Sequence, residues 1–247
     1  MPEGILQVYP PPTREVDSPY ADIELPSTGS HDSSLPYVII NMVTSVDGRV
    51  TEAGKASGLG SALDRRTMRT LRSKADAVMI GAGTLRAERL SLALDGSGLP
   101  QPLAVIVTET GEVPLESNLA SYGQQTVLVI GPNQAAEQLR GRASVLALQT
   151  SPSGAMDLRE ALRSLKATNG VNGLLVEGGP RLNHSLISQK LADELFLTIS
   201  PKLLGGLPGE ALTMLEGNLL PAETRPAPEL LSVYLAGSEL FLRYSLF

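Results

Sequence analysis

From residue 36 onward the chain alternates short apolar runs with amphipathic stretches. Tyr37–Val43 is apolar and β-branched, long enough for a strand buried on both faces. Similar runs at Ala77–Ile80, Leu103–Val107, Thr126–Ile130, Ser144–Leu148, Leu174–Val176 and Glu194–Ile199 predict further strands. Between them the helical period appears. Leu63, Met68 and Leu71 mark a helix over 62–73 with Ser61 as N-cap, and Leu158, Leu162 and Leu165 mark one over 157–167. Shorter helices are predicted near 133–140 and from Pro180 towards Lys190. Leu230–Leu235 and Leu240–Tyr244, separated by Ala236-Gly237-Ser238-Glu239, read as a C-terminal hairpin. Buried strands alternating with helices predict an α/β fold. Its central sheet is mostly parallel, with helices on both faces and an antiparallel hairpin at one edge.

Residues 1–35 break this pattern. They carry Pro10-Pro11-Pro12 and the polar stretch Ser27–Ser34. They read as an N-terminal arm, either a disordered leader or a segment packed on the domain or on a partner subunit. The domain proper then spans 36–247.

Composition narrows the chemistry. The chain has no Cys, which excludes a disulfide scaffold, a thiolate zinc site and a Cys nucleophile. Neither of its two histidines, His31 and His184, has a partner at metal-ligand spacing, so no metal is expected. A net charge of −6 without a basic stripe gives no reason to expect nucleic acid. No apolar run approaches the roughly 20 residues of a membrane helix, and Met1–Tyr9 lacks the pattern of a secretory signal. A cytoplasmic protein that does not engage membranes is the expectation.

Three segments follow predicted strands, where open α/β sheets bind ligands. The first is Thr44-Ser45-Val46-Asp47-Gly48-Arg49. There Asp47 either opens a tight turn with Gly48 or serves as an acid or substrate anchor. The second is Gly81-Ala82-Gly83-Thr84, whose glycines let backbone amides approach an anion, or form a plain turn. The third is Glu177-Gly178-Gly179-Pro180. Pro180 suits the first helical position and leaves the N-terminal amides for a phosphate or pyrophosphate. Glu177 is either a satisfied loop carboxylate or meets a ligand.

Taken in order, these segments resemble the reductase of riboflavin biosynthesis, a family with a dihydrofolate-reductase-like three-layer α/β/α fold. The matching stretches are Thr44–Arg49, Ser57-Gly58-Leu59, Arg65-Arg66 with Leu71-Arg72, Ala75–Thr84, Leu174–Leu182, Leu191–Leu195 and Ile199–Gly206. The resemblance covers about residues 36–245. It implies hydride transfer from NADPH, with NADH as the alternative donor, to the ribosyl C1′ of a phosphoribosylamino-pyrimidine, giving the ribityl product. It implies a cofactor site of Thr44, Leu59, Gly81, Gly83, Thr84, Glu88, Thr108, Glu109, Gly178, Gly179, Pro180, Arg181 and Leu182. Ser57, Arg72, Leu92 and Glu177 match substrate-contacting positions, and Asp47 matches an acidic residue that would be the substrate anchor or proton source. The family habit, together with the apolar edge of the C-terminal hairpin, implies a homodimer.

The sequence departs from the family pattern at three places. Glu88 replaces the first Asp after the glycine loop. Asp95 stands where an Arg meets the substrate's phosphate, leaving Arg65, Arg66, Arg72 and Arg89 as candidates for that contact. Glu109 replaces a Ser facing the adenosine 2′-phosphate, which predicts a weakened preference for NADPH over NADH. Two alternatives stay open: a reductase of this fold acting on a dihydropterin or dihydrofolate, and a non-catalytic nucleotide-binding relative.

Overall fold

The apolar runs become neighbours in one sheet. A computed structural model of the chain describes residues 4–88, 90–94, 98–114, 124–131, 139, 144–148, 156–207, 209–223 and 225–247. The strands are β1 (Ile5–Tyr9), β2 (Arg14–Val16), β3 (Tyr37–Ser45), β4 (Ala77–Gly81), β5 (Leu103–Thr108), β6 (Thr126–Ile130), β7 (Ser144–Ala147), β8 (Gly173–Val176), β9 (Glu194–Ser200), β10 (Glu229–Ala236) and β11 (Glu239–Ser245). The helices are α1 (Ala62–Arg72), α2 (Ala82–Glu88), α3 (Leu158–Asn169) and α4 (Pro180–Ser188). The helix expected near 133–140 lies, Leu139 apart, outside the described residues.

The sheet has eleven strands in the order β2-β1-β10-β11-β9-β3-β8-β4-β5-β6-β7. From β9 to β7 every neighbouring pair is parallel, and from β9 to β2 every pair is antiparallel. After β3 the chain works outward through β4 to β7. It then returns to place β8 between β3 and β4, and β9 on the far side of β3. That reversal makes the carboxyl ends of β3, β8 and β4 a switch point, the place where such sheets hold ligands.

Alternation along each strand feeds two apolar layers. Val38, Ile40, Met79 and Val176 pack with Leu158, Leu162 and Leu186 of α3 and α4. Tyr37, Ile39, Val78 and Leu175 pack on the opposite face with Leu71 of α1 and Leu85 of α2. Ser61 caps α1 by accepting from the amides of Leu63 and Asp64 (3.1 Å each), and Asp157 caps α3 in the same way. No helix among the described residues is long and apolar enough to cross a membrane.

The N-terminal segment is the packed arm rather than a loose leader. β1 pairs with β10, Leu6 opposite Leu235, and β2 pairs with β1. Tyr20 inserts its ring edge-on between Phe196 (4.8 Å between centroids) and Tyr234 (5.2 Å). Each such pair adds about 0.5–1.5 kcal/mol beyond simple burial. Lys74 Nζ donates to the Ile23 carbonyl (2.8 Å), and Asp193 accepts from the Ser30 amide (2.7 Å). The prolines at 10–12 are compatible with this because they fall in the turn between β1 and β2, where no ladder amide is needed. The arm also covers the β10 edge, so that edge no longer argues for a second copy.

Candidate active site

Two glycine turns build the centre of the site, and each follows from where its strand stops. β4 ends at Gly81 and β8 ends just before Glu177-Gly178-Gly179. The Gly81 amide donates to the Gly178 carbonyl (2.9 Å), and the Glu177 amide donates to the Met79 carbonyl (3.0 Å). The turns therefore lock to each other. Gly178 has φ +84°, and a Cβ there would also meet Met42 Sδ at 3.3 Å. A Cβ on Gly179 would lie 2.5 Å from Thr84 Oγ1. The Gly178–Gly179 peptide is cis. Pro180 opens α4 directly, and Gly179 gives that helix no side-chain cap. Its N-terminal amides thus remain available to an anion.

A cavity of about 470 Å³ lies over these turns. Of the residues expected to hold a cofactor, it gathers Gly81, Gly83, Thr84, Thr108, Glu109, Gly179, Pro180, Arg181 and Leu182. Thr108 Oγ1 accepts from the Gly111 amide (3.1 Å) and so shapes the turn carrying Glu109 and Thr110. Arg86 joins the wall and donates to the Glu112 carbonyl at 2.5 Å. Sequence reasoning missed Arg86, although it lies three residues after Gly83 and hence on the same face of α2.

Four expected cofactor residues do not line this cavity. Gly178 contributes its carbonyl to the lock between the turns. Leu59 is buried, its carbonyl taken by Ser200 Oγ (2.8 Å). Thr44 is also buried, and its hydroxyl donates to the Ser45 carbonyl. Glu88 closes α2 and accepts from the amides of Ala56 and Ser57. It thereby ties the exposed loop carrying Ser57 to the helix that borders the cavity.

Of the residues expected to contact the substrate, Arg72 and Glu177 pair with each other. Arg72 Nε and Nη2 donate to the two oxygens of Glu177, both at 2.6 Å, and Nη1 holds the carbonyls of Ser91 (3.0 Å) and Ala93 (3.3 Å). The side chains are 5% and 8% exposed. This buried bidentate pair fixes the segment containing Leu92, which is itself fully buried. The Arg72 guanidinium thus spends these donors within the protein. Arg65 is exposed and reaches the Gly60 carbonyl (3.2 Å). Arg89 and Asp95 lie outside the described residues.

Asp47, expected as substrate anchor or proton source, is engaged within the protein. Its Oδ1 accepts from Ser45 Oγ (2.6 Å) and the Leu204 amide (3.1 Å), and its Oδ2 accepts from the Gly205 amide (2.7 Å). The Ser45 hydroxyl and the two amides hold this carboxyl well below the usual carboxylate range. Asp47 therefore stays ionised and anchors a strap after β9. That strap is fastened again where the Leu212 amide donates to Thr51 Oγ1 (2.9 Å) and Asn183 Nδ2 donates to the Met214 carbonyl (3.2 Å). It brings Leu212 and Glu216 into the cavity wall. Glu216 is held ionised by the Thr213 amide and hydroxyl, with Arg181 nearby. Sequence periodicity gave no sign that this strap crosses α4.

Comparison with known proteins gives this geometry a family. Residues 36–239 match the RibD C-terminal domain family. The chain is 30% identical over 217 residues to the 2,5-diamino-6-ribosylamino-4(3H)-pyrimidinone 5′-phosphate reductase of Methanothermobacter thermautotrophicus, covering 85% of this chain and 98% of that protein. It is 31% identical over 182 residues to the reductase of the same name from Archaeoglobus fulgidus, covering 69% and 83%. Its fold superimposes on Acinetobacter baumannii RibD with a TM-score of 0.72 at 22% identity, covering 87% of this chain but 59% of that longer one. It also matches the riboflavin biosynthesis reductase Rib7 of Saccharomyces cerevisiae with a TM-score of 0.66 at 14% identity, covering 89% and 93%. The chain belongs to the RibD C-terminal domain family and is a reductase of riboflavin biosynthesis.

Proposed function

We propose that the chain reduces a ribosylaminopyrimidine 5′-phosphate to its ribityl counterpart, with NADPH as the hydride donor. The observation that carries this reading is the pair of interlocked glycine turns beneath a 470 Å³ cavity, in a chain that aligns with 98% of an archaeal reductase. The residues present fit a dinucleotide. Gly179 has no room for a side chain, the start of α4 is uncapped, and Arg86 and Arg181 bring positive charge to an otherwise acidic chain. The amides of Gly179, Arg181 and Leu182 would hold the pyrophosphate, while Arg86 and Thr108–Thr110 would border the adenosine. When bound, the nicotinamide supplies the hydride. The protein's task is to orient the ribosyl group and exclude water. For that, the Arg72–Glu177 pair, the loop at 56–59 clasped by Glu88, and the strap anchored by Asp47 form a preorganised frame.

The test is oxidation of NADPH, followed by absorbance, with a ribosylaminopyrimidine 5′-phosphate and with dihydrofolate as competing substrates. Turnover of the former alone is the expected result. Turnover of dihydrofolate alone, or of neither, would overturn the proposal.

A further inference from the structure

Converting a ribosylamine into a ribitylamine consumes a proton as well as a hydride. The C1′–O4′ bond breaks with its electron pair passing to O4′, which takes up a proton. C1′ receives the hydride from a dihydronicotinamide, and the exocyclic nitrogen stays bonded to C1′. That proton comes from water or from a side chain beside O4′ that carries one near neutral pH.

Asp47, the expected donor, and the other acids and histidines singled out in the sequence are otherwise engaged. Asp47 accepts three hydrogen bonds and is held ionised. Both oxygens of Glu177 accept from Arg72, and Glu88 accepts from two backbone amides. His31 lies against Phe247, and His184 packs on Gly217 with Nε2 at the Asn218 carbonyl (2.7 Å).

Asp64 differs from all of these. It sits in the first turn of α1, and its carboxyl group fills the space that a side chain on Gly60 would occupy. It is thus folded back under the loop that carries Ser57 and Leu59. The hydroxyl of Thr198, on β9, lies beside it. Thr198 follows Phe196, and Glu177 follows Leu175, so both lie on the sheet face that packs against α1, where Glu177 is within electrostatic reach of Asp64. The charged and titratable groups that face Asp64 are Glu239 from β11, Glu177 beyond β8, Tyr20 from the arm and Arg65 from its own helix. Arg65 is turned to the Gly60 carbonyl, and among the described residues no cation forms an ion pair with Asp64. Burial, reinforced by Glu239 and Glu177, pushes its carboxyl up to about 6.

Resting on the reductase reading of this site, we propose that Asp64 is the proton donor of the reduction, delivering its proton to the ribosyl O4′ from beneath the 56–60 loop. The Arg72–Glu177 pair then positions, and Asp64 protonates.

The experiment measures kcat/KM against pH for the full chain and for Asp64→Asn, Asp64→Glu and Thr198→Val. It also follows the aspartate carboxyl carbons by NMR in the enzyme without substrate. The wild type should lose about tenfold in kcat/KM per pH unit above its titration midpoint. Asp64→Asn should be about 10²- to 10⁴-fold slower, with that limb gone and with NADPH affinity unchanged. Asp64→Glu should restore a pH-dependent limb, and Thr198→Val should shift its midpoint upward. One carboxyl resonance should titrate near pH 6 and vanish in Asp64→Asn. The proposal falls if Asp64→Asn stays within threefold of wild type, or keeps the falling limb, while the wild type is active. If the wild type reduces no ribosylaminopyrimidine at any pH, the reaction reading fails and takes the proposal with it, whatever the NMR titration shows.

Discussion

The two halves of the proposed cleft are built from different materials. The proposed cofactor half is made of backbone: glycines, a proline and uncapped amides at the ends of β4 and β8. The proposed substrate half is made of charged side chains, and most of those are tied to the protein. Arg72 holds Glu177, Glu88 holds the 56–57 amides, and Asp47 holds the strap at 204–205. A glycine turn that must pass close to a neighbour has few other uses. A buried carboxylate or guanidinium serves a ligand or a scaffold equally well, and only its partner decides which.

The sharpest way to break this contrast is at Arg72. If the pair is scaffold, Arg72→Met leaves Glu177 buried without its cation and should destabilise the chain by about 3–5 kcal/mol. The double variant Arg72→Met with Glu177→Leu should recover most of that loss, because buried ion pairs are replaceable by apolar residues of similar volume. Denaturant unfolding of the three proteins checks this. If the single variant is as stable as wild type and loses affinity only for phosphorylated substrate, the two halves are alike after all.

The same contrast governs what is legible in the amino-acid sequence. The strands from Tyr37 onward and the parallel sheet are legible because an apolar run bounded by glycine has one good use in an α/β fold. The glycine turns are legible for the same reason, and nine of the expected cofactor residues do line one cavity. The arm is not, because Tyr20 and Ile23 secure it with isolated buried side chains rather than a periodic pattern. Nor is the strap, since Leu212 and Glu216 reach the cavity through long-range hydrogen bonds that Thr51 accepts and Asn183 donates. Asp64 escapes notice because a charged residue in a first helical turn usually serves the helix dipole. Its unusual feature, a carboxyl turned back over Gly60, is a tertiary fact.

A second test compares two glycines within the cofactor half. Gly179→Ala forces a Cβ to within 2.5 Å of Thr84 Oγ1, whereas a Cβ on Gly83 would meet nothing nearer than Arg86 Nη2 at 4.0 Å. Calorimetry should show Gly179→Ala weakening NADPH by at least about tenfold, or 1.4 kcal/mol. Gly83→Ala should lose less, since its methyl group enters open cavity rather than packed backbone. Equal losses would mean that the approach of the cofactor, and not the locking of the two turns, sets the need for glycine.

The smallest expected effect lies where the two materials meet, at the adenosine end of the cavity. Glu109 and Arg86 both border it, one exposed acid and one exposed base. A phosphate dianion placed there is repelled by the first and attracted by the second. In water, unit charges 4 Å apart interact by about 1 kcal/mol, and physiological salt reduces this further. Glu109→Ser should therefore raise the NADPH-to-NADH ratio of kcat/KM by only a few-fold, and Arg86→Ala should lower it by a similar factor. Because Arg86 also grips the Glu112 carbonyl, its removal should loosen the 109–112 turn and weaken NADH as well. Glu109→Ser should leave NADH untouched. Steady-state kinetics with both nucleotides separate the outcomes. A ratio unmoved by either substitution would show that the adenosine end, like the pyrophosphate end, is read by backbone alone.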